Sequence, residues 1–270
     1  MPISANTKTS SVYVRQLAVT AALGFATVAG VVWAAEPTPP AAPAVSTFAP
    51  AADLIAAARG YSESFAAPTS DATQFNGAQA KILKDAHTLA AIALALALSD
   101  EDHALKKSSG DLLLAAQSLA KATDVDTARQ AAEKIKAAVA DGAAGTATVD
   151  PPNWHKVSSM GQMMKQVTFL NNRLKRALQK NRFEQSSADT AQYTAQLAVI
   201  AQAVIADTHE VKNPADTEKW FQFSAEMRDT AGELNQAIHA KNFDAATAGN
   251  ARLEKSCATC HEVFHNELAQ

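Results

Sequence analysis

Between Met160 and Leu178, apolar side chains recur at Met160, Met163, Val167, Leu170, Leu174 and Leu178. Alternating steps of three and four residues form a single stripe only on an α-helix. The same period predicts helices over 187–207 (Leu197, Ile200, Val204, Ile205), through Trp220, Phe223, Met227, Leu234 and Ile238, and from Phe243 through Leu253 to Phe264 and Leu268. Asn181-Arg182-Phe183 and Asn213-Pro214 mark turns between them, and Asp216 reads as the N-cap of the third. Hydrophobic residues make up 47% of the chain and aromatics only 6%, with alanine supplying most of the apolar content. Small residues let helices approach closely, so the expected class is all-α: two tandem antiparallel helix bundles, the second of four helices.

Two breaks divide the chain. Residues 36–50, beginning Glu-Pro-Thr-Pro-Pro-Ala-Ala-Pro, read as a Pro/Ala-rich linker, extended and mostly unstructured. Gly142, Gly145, Pro151 and Pro152 punctuate a second small-residue stretch. The expected units are therefore 1–35, 36–50, 51–147 and 152–270.

Residues 1–35 are different in kind. Lys8 and Arg15 precede an uncharged apolar run from Leu17 to Ala34, and Val32 and Ala34 suit the −3 and −1 positions of a cleavage site. The run is also just long enough to span a bilayer. A signal peptide or an N-terminal membrane anchor is expected, with the remainder periplasmic or otherwise exported. Without Lys8 and Arg15 the chain carries 22 basic against 27 acidic side chains, and no basic stripe that would suit nucleic acid.

The segment 51–147 reads as a degenerate copy of 152–270. Leu89 to Ala95 lies over Leu197 to Ala203 without a gap, and Val125-Asp126 and Ile135 match Phe243-Asp244 and Leu253. That register places Val139, Gly142 and Ala143 where the second copy has Cys257, Cys260 and His261.

Those three residues belong to Cys257-Ala258-Thr259-Cys260-His261, which contains the only two cysteines of the chain. C-x-x-C-H is the attachment pattern of c-type haem: each thiol adds across a vinyl group, and the adjacent imidazole ligates the iron. The first half, lacking all three, is expected to hold no haem. Thiol oxidoreductase chemistry would want a βαβ context that the chain does not offer, and a zinc site would want a second ligand pair at finger-like spacing.

With this motif, the Trp220-led third helix and a methionine-bearing first helix, residues 152–270 resemble the class II c-type cytochromes, the cytochrome c prime family. The run Lys255 to Phe264 carries most of the likeness. The resemblance implies one covalent haem c held by Cys257 and Cys260, with His261 as proximal ligand. It implies a sixth iron position either left open for NO or CO, or filled by a methionine of the first helix in an electron carrier. Beyond Met1 the methionines are Met160, Met163, Met164 and Met227, all in this half. Met163 is the expected sixth ligand and Met160 the alternative, while Met164 is expected on the flank. Relatives dimerise through their first two helices, so the haemless half is expected to replace a second subunit, giving a monomer with an internal pseudo-dimer; a homodimer is the alternative.

Of the remaining histidines, His155, His209, His239 and His265 are expected near the surface, His87 and His103 fall in the half without haem, and Lys156 stands about where the family has a basic residue near the haem carboxylates. Glu226 and Glu233 suit a solvated helix face. No nucleophile–base pair, phosphate loop or H-E-x-x-H appears, so no enzyme activity is expected. The expected role is one-electron transfer between redox proteins. The alternatives are a gas-binding haem protein and a helical interaction module in which the haem is structural.

Overall fold

The computed structural model describes residues 37–265; the expected leader and anything beyond His265 lie outside the described residues. The protein is all-α, with no strand among the described residues. The helices are α1 (Ala51–Ala66), α2 (Ala72–Leu98), α3 (Ser109–Ala120), α4 (Val125–Ala138), α5 (Met160–Ala177), α6 (Ser187–Ile205), α7 (Thr217–His239) and α8 (Phe243–Phe264). Among the described residues, no helix is long and apolar enough to cross a membrane.

Side-chain caps set several of the starts. Asp71 accepts from the Gln74 backbone N–H at 2.9 Å, Asp124 from Thr127 at 2.8 Å and Asn242 from Ala245 at 3.1 Å, each satisfying a donor the first turn leaves free. Asp216 precedes α7 as expected but makes no capping bond. Asn213 acts instead, one turn earlier, accepting from Ala215 N at 3.2 Å at the head of a 3-10 turn over Pro214–Asp216.

In the first set of helices α2 packs on α1 and α3, and α4 on α3 and α1. In the second, α6 packs on α5 and α7, and α7 on α8. The two sets meet along α1, α2, α5 and α6: α2 touches both α5 and α6, and α1 touches α6. This central position explains why α2 and α6 are apolar on every side. Leu89 through Leu96 and Leu197 through Ile200 are all fully buried. Tyr61 donates to Gln196 Oε1 at 2.7 Å across the seam, and Gln166 Nε2 donates to the Tyr61 hydroxyl at 2.6 Å.

The segment expected to be an unstructured linker is packed over its second half. Val45 and Phe48 are each 2% exposed, Ser46 binds the Asp100 carboxylate through its N–H and hydroxyl, and Gln236 reaches Thr47 O at 3.4 Å. Phe48 lies against Gly232 of α7 and its ring stands 6.4 Å from that of Trp154. Proline content argued for extension, and Val45 and Phe48 supply the buried surface that fixes the path. Helix α5 starts at Met160 rather than directly after Pro152, because Ser158 and Ser159 are tied to His87 on α2.

Candidate functional site

Helix α8 carries Cys257, Cys260 and His261 within two turns, with both thiols free and half-buried. Its lower part is clamped to α7 by Leu234 against Gly249 and by Arg252 to Glu233 at 2.8 Å. Its upper part is clamped by Phe264, whose ring stands 5.0 Å from Trp220 at nearly a right angle. These pairs run antiparallel and put Ser224 level with Cys260. On the other side Lys175 lies 3.5 Å from Glu254, and the Asn171 side chain stands near the Cys257 thiol. One helical turn further brings Val167 level with His261.

Between α5, α6, α7 and α8 lies a cleft lined mainly by Met160, Met164, Val167, Trp220, Phe223 and Met227, with Ala201, Val204 and Ser224 behind. Cys257, Cys260 and His261 form its α8 wall. The Trp220 indole N–H is satisfied by Val204 O at 3.1 Å, so its ring presents only apolar surface. The Ser224 hydroxyl is buried without a partner.

The donor set fits haem c: two thiols one turn apart, an imidazole beside them and a soft, apolar lining. The cavity volume of about 50 Å³ holds a water or two, so a macrocycle requires the helices to part. The seam for this is α5 against α8. In the first set α1 and α4 are close packed, whereas α5 and α8 are not.

Burial pushes the Cys260 thiol up to about 11, with Cys257 adding to it, and burial raises the Cys257 thiol as well. These thiols stay protonated and slow to react while the cleft is closed. His261 is held below the ordinary imidazole value by burial and by the neighbouring His265 ring, 5.5 Å away. Its neutral, ligating form is thereby favoured.

The methionines do not fall as the stripe suggested. Met160, Met164 and Val167 form one line facing the cleft, and Met163 is turned about 70° from its centre. Met163 is 2% exposed but is absent from the cleft wall; it shares the face of Gln166 and Leu170, which meets the first set of helices. Met164, expected on the flank, lines the cleft. Periodicity alone could not separate these faces, because α5 is buried on two sides. Ser224 and Asn171 were not singled out from sequence, since an isolated Ser or Asn in a helix signals nothing.

The other histidines have local partners. His239 Nε2 lies 2.8 Å from Asp53 Oδ2, His209 Nδ1 lies 2.7 Å from Asp207 Oδ1, and His103 Nε2 contacts Leu96 O at 2.9 Å. His155 contacts Asn153 O, and His265 lines the cleft mouth. Lys156 is paired with the buried Asp207 at 2.9 Å. Among the described residues, no three His, Cys, Asp or Glu side chains group as a metal site.

The first set of helices is solid at the corresponding place. α3 begins at Ser109 and α7 at Thr217, in the register that lays Leu89 over Leu197. Leu112, Ala115, Ala116 and Leu119 then fall at Trp220, Phe223, Ser224 and Met227, and all four are buried. Helix α4 ends at Ala138, which falls at Ser256, one residue short of the first cysteine position.

Comparison of the chain with known protein families, with curated proteins and with solved structures finds no match.

Proposed function

We propose that this chain is an exported monohaem c-type cytochrome of class II type, carrying single electrons between redox protein partners. The observation that carries the reading is the placement of both thiols and the His261 imidazole on one wall of an apolar cleft between four helices. When bound, haem c supplies a one-electron couple at its iron. Cys257 and Cys260 would hold it covalently, which prevents its loss outside the cell, and His261 would ligate the metal. Trp220, Phe223 and Met227 exclude water, so that little solvent rearranges as charge changes. The second four helices are then the haem bundle, and the first four a haemless copy in the position of a second subunit. The reciprocal packing of α1 on α6 and of α5 on α2 supports that pseudo-dimer within a monomer.

One observation favours a second reading, a five-coordinate protein that binds NO or CO. Val167, not a methionine, is level with His261, and Met163 faces away. A sixth ligand from α5 would then be Met160 or Met164.

Expression in a host able to attach haem c tests both. The expected product is coloured, its mass raised by one haem and its visible bands shifting reversibly on reduction. A low-spin spectrum with a methionine–iron charge-transfer band supports the carrier, and a high-spin spectrum that changes with CO supports the gas binder. A colourless product of unmodified mass overturns the haem assignment.

A further inference from the structure

Away from the cysteines, a second cleft of about 480 Å³ opens where α1, α2, α5 and α6 meet, within the size range of small-molecule sites. Its floor is a chain of hydrogen bonds with a fixed direction. The Lys84 ammonium donates to Gln166 Oε1, Gln166 Nε2 donates to the Tyr61 hydroxyl at 2.6 Å, and that hydroxyl donates to Gln196 Oε1 at 2.7 Å. An ammonium can only donate, so the order cannot be reversed. The chain therefore ends on Gln196 Nε2, which has no acceptor among the described residues. Gln196 is 4% exposed and lines the cleft. Its Nε2 is not sealed in the protein, so its open side is the cleft. An acceptor bound there completes the chain.

The lining is cationic. Lys81, Lys84 and Arg173 stand against a single carboxylate, Asp85, which the two lysines share at 2.6 and 2.9 Å. Arg173 makes no ion pair or hydrogen bond among the described residues; its guanidinium lies 5.0 Å from the centroid of the Phe169 ring, and the Lys84 ammonium lies 4.3 Å from it. A local excess of positive charge on a chain of net charge −3 favours an anion. Phe169, 41% exposed, gives the cleft an apolar side together with Tyr193 and Leu170. At Gly60, on the α1 wall, a Cβ would meet nothing within 4 Å.

We propose that this cleft binds a small aromatic carboxylate, for which Arg173 supplies the unneutralised charge, Gln196 the unused N–H donors, and Phe169 and Tyr193 the surface for the ring. The site is separate from the cysteine-bearing cleft and does not depend on the haem assignment. Because its walls come from both sets of helices, a bound ligand also braces them against each other.

The test is calorimetric titration of the full chain with 2-naphthoate, and separately with neutral 2-naphthamide and with inorganic phosphate. The carboxylate is expected to bind once per chain and to raise the thermal midpoint, and the other two to bind at least about tenfold more weakly. Arg173→Gln is expected to weaken naphthoate about tenfold, as for one lost charge-assisted bond. Gly60→Leu fills the cleft from a position where leucine is the better helix former, so it is expected to abolish binding while the circular-dichroism midpoint does not fall. Absence of saturable binding to the parent overturns the inference. Phosphate binding as tight as naphthoate overturns the aromatic part of it, and undiminished binding by Gly60→Leu places the ligand elsewhere and overturns the site.

Discussion

The imidazole of His87, on α2, accepts a hydrogen bond of 3.2 Å through Nδ1 from the backbone N–H of Ser159, the residue that precedes α5. The bond joins the two sets of helices and requires a neutral ring. Burial holds the His87 pKa below its ordinary 6.5, so the unfolded chain binds a proton first as the pH falls. The stability His87 contributes is complete above pH 6.5 and is lost as the pH drops through 6.5 towards the folded value, with no further loss below that. Urea midpoints measured from about pH 7.5 to about 5 are expected to fall for the parent and less steeply for His87→Gln, which keeps an acceptor and does not titrate. Parallel curves would remove His87 from the pH response.

Phe48 crosses α7 at Gly232, where a Cβ would stand 2.9 Å from the Phe48 Cα. Backbone cannot yield there as a flexible side chain could. Gly232→Ala is expected to cost about 1–3 kcal/mol by displacing the strap. Gly60, in α1 with open space around it, gives the contrast. There the same substitution is expected to gain about 0.5–1 kcal/mol from helix propensity. Urea titration of both variants separates a close crossing from a general effect of alanine; equal effects would mean that the strap is not held at Gly232.

Tyr61 and its two glutamines form a buried polar contact between the two sets of helices. Burial, with the Asp85 carboxylate adding to it, holds the phenol far above its ordinary pKa, so it stays protonated and donates to Gln196. Tyr61→Phe leaves Gln196 Oε1 and Gln166 Nε2 without that partner and is expected to destabilise by about 1–3 kcal/mol. A double-mutant cycle with Gln196→Leu checks the origin. A coupling energy indistinguishable from zero would mean that the two side chains contribute independently.

How much of this was legible in the sequence depended on how many faces each helix buries. α7 packs on α6 and α8 and carries Phe48 at Gly232, yet Trp220, Phe223 and Met227 were legible as one apolar stripe, and the motif at Cys257 marked what is the α8 wall of the cleft. α5 buries two faces, so the stripe through Met160, Met163 and Val167 merged residues that serve different neighbours. Proline content misjudged 45–50 because composition does not reveal that Phe48 has Gly232 to rest on. The starts of α3 and α7, and of α4 and α8, coincide in the two registers read from the sequence. The ten-residue difference between them, taken up where α7 outruns α3, could be placed only with the helix ends known.

The three methionines of α5 make the cleft assignment separable residue by residue. Met163 is buried on the face that meets α1 and α2, so Met163→Leu is expected to cost less than about 1.5 kcal/mol, as a volume-conserving core exchange, and to leave the visible spectrum of the haem-loaded protein unchanged. Met160 and Met164 line the cleft, and replacing a ligating thioether by leucine would abolish a methionine–iron charge-transfer band and raise the spin state. Under the electron-carrier reading one of Met160→Leu and Met164→Leu is expected to do so; no change with either, with Val167 level with His261, would decide for the five-coordinate gas binder. A change confined to one of them would identify the sixth ligand and decide for the electron carrier. A change on Met163→Leu would require α5 to turn on its axis when haem is bound, and would show that the closed cleft and the loaded one present different faces of the same helix.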